Sequence, residues 1–101
     1  MRLVVQIIRF VSPDPQPGIV ECNFVDANKE THAFVDNVPI SSLNDLDVKS
    51  SYPVKGILRC EVMKEWKDDL GRELVRITTR RDGVESTTGL SEFVVLRNQL
   101  R

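Results

Sequence analysis

One segment constrains the fold more than any other. Residues 58–81, LRCEVMKEWKDDLGRELVRITTRR, alternate apolar and polar side chains on both sides of a turn sequence. Alternation with a period of two is typical of strands buried on one face. A loop at residues 68–71 places Val62 opposite Ile77 and Cys60 opposite Thr79, whereas a slip of one residue would turn the apolar set to the wrong face. The segment therefore predicts one long β-hairpin with an apolar face and a charged face.

Length and composition fit a single globular domain over residues 1–101. Of the 101 residues, 41% are hydrophobic and 29% are charged, which is too apolar for a disordered chain and enough for one core. Gln6 and Arg9 interrupt the apolar N-terminal stretch, and no run reaches the roughly 18 apolar residues that a membrane helix needs. We therefore expect a cytoplasmic protein with no membrane partner.

Four further strands are predicted outside the hairpin. Each is rich in β-branched or alternating apolar residues and ends near a turn sequence; they cover residues 3–11, 19–26, 30–35 and 91–96. Residues 27–29 are predicted to form a three-residue hairpin loop, with Asn28 or Lys29 in the left-handed conformation. That loop would place Phe24 opposite His32.

About six strands with short polar connections predict an all-β fold, either a small antiparallel barrel or a sandwich. A barrel is favoured because closing the sheet removes exposed edges. Pro39 and Pro53 bracket a segment too polar for a strand, and Ser42 with Asp45 three residues later resembles a capping box. One short helical turn is therefore expected near residues 42–47.

The residues that could carry catalysis or bind a metal are few. Two cysteines, Cys22 and Cys60, are too few for a disulfide framework and lie within apolar alternation. Cys22 and His32 would be diagonal neighbours on one face, but burial raises the pKa of a thiol and makes it inert. One histidine and two separated cysteines provide no metal-binding spacing, and no cofactor motif is present. We expect a non-enzymatic protein without metal or cofactor.

Charge is distributed unevenly along a chain whose net charge is only −1. Residues 72–81 contain four arginines and one acid, a net charge of +3. On the hairpin's charged face, arginine and methionine are residue types enriched at protein interfaces, while Trp66 is expected with the inward set or at the rim. The sequence therefore predicts an unknown protein partner, or a second copy, bound through Arg59, Met63, Arg76 and Arg80.

A second hypothesis concerns the glycine-bounded loop that follows the hairpin. Backbone amides and hydroxyl groups in such a loop can surround an anion, and arginine can bind phosphate or carboxylate. The loop is therefore a candidate site for a small anionic ligand, formed by Arg80, Arg81, Ser86, Thr87 and Thr88. Binding of single-stranded nucleic acid is not expected, because aromatic residues are only 6% of the chain and lysines are not clustered.

Overall fold

The computed structural model describes residues 1–14, 18–36, 40–42 and 53–101. These residues form eight antiparallel strands and two short 3₁₀ turns, Arg80–Asp82 and Arg97–Gln99. The strands are β1 (Arg2–Ser12), β2 (Ile19–Val25), β3 (Thr31–Asp36), β4 (Ile40–Ser42), β5 (Val54–Arg59), β6 (Glu61–Lys67), β7 (Glu73–Thr78) and β8 (Glu92–Leu96). The all-β prediction is confirmed.

The described strands lie in two open sheets. A five-stranded sheet has the order β3-β2-β1-β5-β4, and a three-stranded sheet has the order β6-β7-β8. Preference for a closed barrel was therefore wrong, and the sandwich alternative fits. Each sheet buries one face against the other, which removes apolar surface from water without closing either sheet.

The core lies between the two sheets. Central strand β1 contributes Leu3, Val5 and Ile7, each at most 1% exposed. An aromatic cluster joins the sheets, because the ring of Phe93 in β8 contacts the rings of Phe24 and Phe34 at centroid distances of 5.3 and 5.7 Å. One continuous cluster of buried residues thus belongs to both sheets.

The predicted long hairpin is divided between the sheets at Cys60. Residues before it form β5, which pairs with β1 and places Arg59 opposite Arg2. The chain then enters the other sheet as β6. Cys60 lies between the two strands, where its amide donates to the carbonyl of Met1, and the paired part of the hairpin begins at Glu61, opposite Thr78. The prediction of one strand from Leu58 to the loop was wrong, because residues 58–59 belong to β5 and residues 61–67 to β6.

In the observed hairpin, β6–β7, two irregularities shift the pairing register in opposite directions. Its loop contains three residues, not four, because the amide of Asp68 donates to the carbonyl of Arg72. This shifts the pairing by one residue, so that Lys64 lies opposite Arg76. A bulge at Met63 shifts it back, and Val62 lies opposite Ile77 as predicted.

Two other predictions concern the segment between β3 and β5. The prediction that this segment contains no strand was wrong, because Ile40–Ser42 pairs with β5 at the sheet edge, where a short polar strand is tolerated. Of the helical turn expected near residues 42–47, Ser42 belongs to β4 and the rest lies outside the described residues. Among the described residues, no helix has the length and apolar character needed to span a membrane.

Candidate functional site

Strand β6 is the most exposed of the seven strands whose side-chain burial the structure describes. Six of its seven residues are exposed and Trp66 is half-buried, whereas the neighbouring strand β7 buries three of its six. Val62 is 37% exposed and Met63 is 52% exposed, although apolar side chains in strands usually face a core. In the part of the chain that the structure describes, β6 pairs with β7 alone. The exposed surface of β6 and β7, residues 61–78, is called the hairpin arm below.

Register determines which side chains share the outer face of the hairpin arm, because directly opposed residues project to the same side. Trp66 lies opposite Leu74, and Lys64 lies opposite Arg76. Trp66 is thus on the outer face, and its predicted place with the inward set was wrong because the bulge at Met63 inverts the alternation beyond it. The ammonium of Lys64 lies 5.6 Å from the centre of the Trp66 ring, within cation–π range.

The four predicted partner-binding residues do not form one patch. Met63 occupies the bulge and Arg76 faces Lys64 in place of Met63. Arg80 lies in the 3₁₀ turn after β7 and forms an ion pair with Glu92 at 3.2 Å. Arg59 belongs to the other sheet, where it faces Arg2. Met63 and Arg76 therefore belong to the hairpin arm, while Arg59 and Arg80 lie beyond its ends.

The predicted anion loop uses its polar groups internally. Ser86 is 6% exposed, and its hydroxyl oxygen accepts a hydrogen bond from the amide of Leu90 at 3.1 Å and lies 3.0 Å from the hydroxyl of Thr88. The amide of Thr87 donates to the carbonyl of Ala33. These contacts close the loop and attach it to β3, so its hydroxyls and amides stabilise the fold.

A cleft of about 370 Å³ lies where the chain passes from β5 to β6. Its wall includes the buried thiol of Cys60, and its charged lining consists of Arg2, Arg59, Glu61, Arg81 and Asp82. Arg81 donates to Glu61 at 2.8 Å, and this hydrogen bond, with the charges of Glu61 and Asp82, raises the pKa of Arg81. The cleft therefore brings Arg81 near Arg59, whereas Arg80 and the hydroxyls of the predicted anion loop do not line it.

Neither cysteine is placed as a nucleophile. Cys22 is fully buried, and burial, together with the charges of Asp36 and Glu21, raises the pKa of its thiol to about 12. Burial also raises the pKa of Cys60. Because the thiolate is the reactive form, both side chains are inert at neutral pH.

A cluster that the sequence analysis did not identify lies at the β2–β3 hairpin. Ligand-type atoms of Asp26, Glu30 and His32 lie within 4.8 Å of one another. Both oxygens of Asp26 are occupied, however, because one accepts the amides of Asn28 and Glu30 at 2.8 and 3.0 Å and the other lies 2.7 Å from His32 Nε2. The predicted register contained the signal, since it makes residues 26 and 32 diagonal neighbours.

The electrostatics of this cluster favour a structural role. Burial acts to raise the pKa of Asp26, but hydrogen bonds from His32 and from the amides of Glu30 and Asn28 outweigh it and hold the pKa below its ordinary value. The imidazole of His32 packs against Phe93, with ring centroids 4.8 Å apart. Asp26 therefore fixes the loop and orients a histidine that belongs to the core.

The exposed hairpin arm and the arginine-lined cleft at its base are two candidate binding surfaces. Comparison with protein-family models, with curated proteins and with solved structures finds no match to the chain.

Proposed function

We propose that the protein is a non-enzymatic binding module that docks an acidic protein surface on its hairpin arm. The observation that carries the proposal is the exposure of six of the seven residues of β6 beside a strand, β7, that buries three of its six residues. An edge strand of this length is a template for pairing with another chain unless it is protected or occupied. A partner on this surface would cover both the edge and the apolar side chains.

The composition of the hairpin arm supports a protein partner. Met63 and Val62 present exposed apolar surface, and Trp66 contributes an aromatic ring that is half-buried. Methionine and aromatic residues are enriched where interfaces are buried most completely. The arm therefore combines main-chain groups for strand addition with side chains that can fill pockets on a partner.

Charge on the outer face supports an acidic partner. Lys64 and Arg76 lie directly opposite each other, which is unfavourable for like charges in a sheet. Among the described residues neither has an acidic partner, while Glu61 and Glu65 are each paired with an arginine, Arg81 and Arg97. Carboxylates of a bound protein would relieve this repulsion and would direct the association.

Site-specific photocrosslinking tests the proposal. A photoreactive phenylalanine analogue replaces Met63 in the full chain, and the same analogue at Val35 is the matched control, because Val35 is 46% exposed on the edge strand of the other sheet. We expect irradiation in cells to yield adducts from position 63 that position 35 does not give. The double variant Lys64→Glu, Arg76→Glu should remove these adducts without lowering the melting temperature.

The mass of the adducts distinguishes a second copy of the chain from a different protein. Adducts of twice the chain mass would make a second copy the occupant, and light scattering of the purified protein would then show a dimer that the double variant lacks. Equal adduct patterns from positions 63 and 35, or adducts that persist in the charge-reversed variant, would refute specific docking of an acidic partner on the hairpin arm.

A further inference from the structure

Three arginines lie side by side at one end of the five-stranded sheet. Arg2 in β1 is opposite Arg59 in β5. On the other side of β1, the amides of Arg2 and Arg101 each donate to the carbonyl of the other residue, at 3.0 and 2.8 Å, so Arg101 is also opposite Arg2. Opposed residues project to the same face with Cβ atoms about 5 Å apart. The fold therefore places three positive side chains in a row.

This row has no internal compensation within the described part of the chain. No acidic side chain there forms an ion pair with Arg2 or Arg59, and the guanidinium of Arg101 donates to the backbone carbonyls of Asn98 and Leu100. Like charges directly opposed in a sheet are destabilising. All three arginines are exposed.

Two members of the row, Arg2 and Arg59, also line the cleft of about 370 Å³. The two acids of the lining, Glu61 and Asp82, both act on the third arginine there, Arg81. Neither acid forms an ion pair with Arg2 or Arg59, and the three arginines and two acids of the lining leave the cleft with a net side-chain charge of +1. A cleft focuses this potential, since its walls exclude part of the solvent.

We propose that the cleft binds the phosphate group of a small phosphate monoester. Guanidinium groups match phosphate oxygens with paired hydrogen bonds. A phosphate monoester carries a charge between about −1.5 and −2 at neutral pH, which balances two arginines, whereas a carboxylate balances one. The volume is near the lower limit of small-molecule sites, about 300 Å³, which suits one phosphate group with a short substituent.

The site differs from the predicted anion loop and from the hairpin arm. It shares Arg81 with the former, but Arg2 and Arg59 replace the hydroxyls as phosphate ligands, and Arg81 forms the rim through its ion pair with Glu61. It does not depend on a protein partner. Failure of the docking experiment therefore leaves this proposal intact, and the converse also holds.

Ligand titration followed by NMR and by thermal unfolding tests it. The probes are inorganic phosphate and O-phosphoserine, with serine and acetate as controls, all at one ionic strength set with chloride. We expect both phosphates to raise the melting temperature and to shift the amide signals of Arg2, Arg59 and Cys60, and we expect serine and acetate to do neither.

Arginine variants test whether phosphate binds in the cleft. Arg59→Gln and Arg2→Gln should each weaken phosphate binding about tenfold or more, because a charge-assisted hydrogen bond contributes about 1.5–3 kcal/mol. Arg76→Gln is the matched control, since Arg76 belongs to another pair of opposed cations but lies outside the cleft. Without ligand, all three variants should be at least as stable as the parent protein, because each removes a like-charge contact.

Several results would overturn the proposal. They are the absence of a phosphate-specific shift in the parent protein, an equal loss of binding in Arg76→Gln, and equal binding of serine and O-phosphoserine. Phosphate-induced shifts confined to residues outside the cleft would show an adventitious ion only.

Discussion

The hairpins β2–β3 and β6–β7 have the same type of loop but differ in burial. In each, one oxygen of an aspartate accepts two loop amides: Asp26 accepts Asn28 and Glu30, at 2.8 and 3.0 Å, and Asp68 accepts Leu70 and Arg72, at 3.0 and 2.9 Å. In each, the third loop residue is left-handed. Loop chemistry therefore determines how the chain turns, and it does not determine whether a hairpin is buried.

The difference lies in what the second oxygen of each aspartate contacts. The second oxygen of Asp26 lies 2.7 Å from His32, whose side chain is 10% exposed and packs among the core aromatics. The second oxygen of Asp68 accepts from the exposed Arg72 at 2.7 Å. One loop is thus attached to the core and the other to a surface cation, which leaves the hairpin arm available to a partner.

The loops also contact each other. Arg72 donates through Nη1 to the carbonyl of Ala27 at 3.1 Å, and the amide of Ala27 donates to the carbonyl of Val94 in β8. The β2–β3 loop thereby covers the edge of β8. Strand β6, at the opposite edge of the same sheet, has no such cover among the described residues.

Truncation of one large side chain in each hairpin should give the largest contrast. Phe34 in β3 is fully buried and contacts Phe93 across the sheets, so Phe34→Ala should lower the free energy of unfolding by about 3–5 kcal/mol through lost burial and a cavity. Met63→Ala, at an exposed position, should change it by less than about 0.5 kcal/mol. Urea unfolding measures both.

If Met63→Ala lowered the free energy of unfolding nearly as much as Phe34→Ala, the hairpin arm would contribute to a core. The two hairpins would then not differ in burial as described. Phe34→Leu is the control for the buried site. It retains most of the apolar volume and should lose much less stability than Phe34→Ala.

Substitution of the two loop aspartates, Asp26 and Asp68, should give the next largest difference in the free energy of unfolding. Asp26→Ala removes the loop acceptor and leaves His32 without its partner inside the core, so we expect a loss of about 2–3 kcal/mol. Asp68→Ala removes only solvent-screened contacts and should cost clearly less. Asn at each position keeps one acceptor for the loop amides, so the excess cost of Asp26→Asn over Asp68→Asn reports the contact with His32.

The dependence of stability on pH gives an independent test. Because the folded state lowers the pKa of Asp26, the ionised carboxylate stabilises the fold at neutral pH, and this contribution is lost as the pH falls below about 4, the ordinary range of aspartate, towards the lowered value. Unfolding measured between pH 6 and pH 3 should show a smaller decline in Asp26→Asn than in the parent protein. Parallel curves would mean that the contact with His32 does not depend on ionised Asp26.

The sequence could predict features that depend on neighbouring residues, but not features that depend on contacts between distant parts of the chain. The β2–β3 hairpin is set by local rules, so its three-residue loop, the left-handed Lys29 and the pairing of Phe24 with His32 are all confirmed. The change of sheet at Cys60 depends on the pairing of β5 with β1, whose residues lie 47–57 positions earlier in the chain, from Ile7–Val54 to Arg2–Arg59. Alternation continues through Cys60 without a turn residue, so no local signal marked the change.

The same limit applies to the candidate sites. Arg2 and Arg59 are opposed only because β1 pairs with β5 in one register, and composition cannot show that. Interface-type residues and an arginine surplus could be recognised from the sequence. The bulge at Met63, which decides that Lys64 and not Met63 faces Arg76, could not, because the predicted register and the true one agree at Val62.

Exchange of the left-handed residues should give the smallest effect and sharpen the comparison most directly. Lys29 adopts φ 64° and Gly71 φ 78°, and the left-handed conformation costs a residue with a side chain about 1–2 kcal/mol more than it costs glycine. Lys29→Gly should therefore raise the free energy of unfolding by about 0.5–1 kcal/mol, after the greater backbone entropy of glycine in the unfolded chain is subtracted. Gly71→Lys should lower it by about 1 kcal/mol, through backbone strain alone, since a Cβ at position 71 meets no atom within 4 Å. Urea unfolding of both variants tests whether the loops are equivalent. Changes of opposite sign and similar size would establish equivalent loops, whereas a neutral Lys29→Gly would show that the attachment of the first loop to the core, and not its backbone conformation, limits its stability.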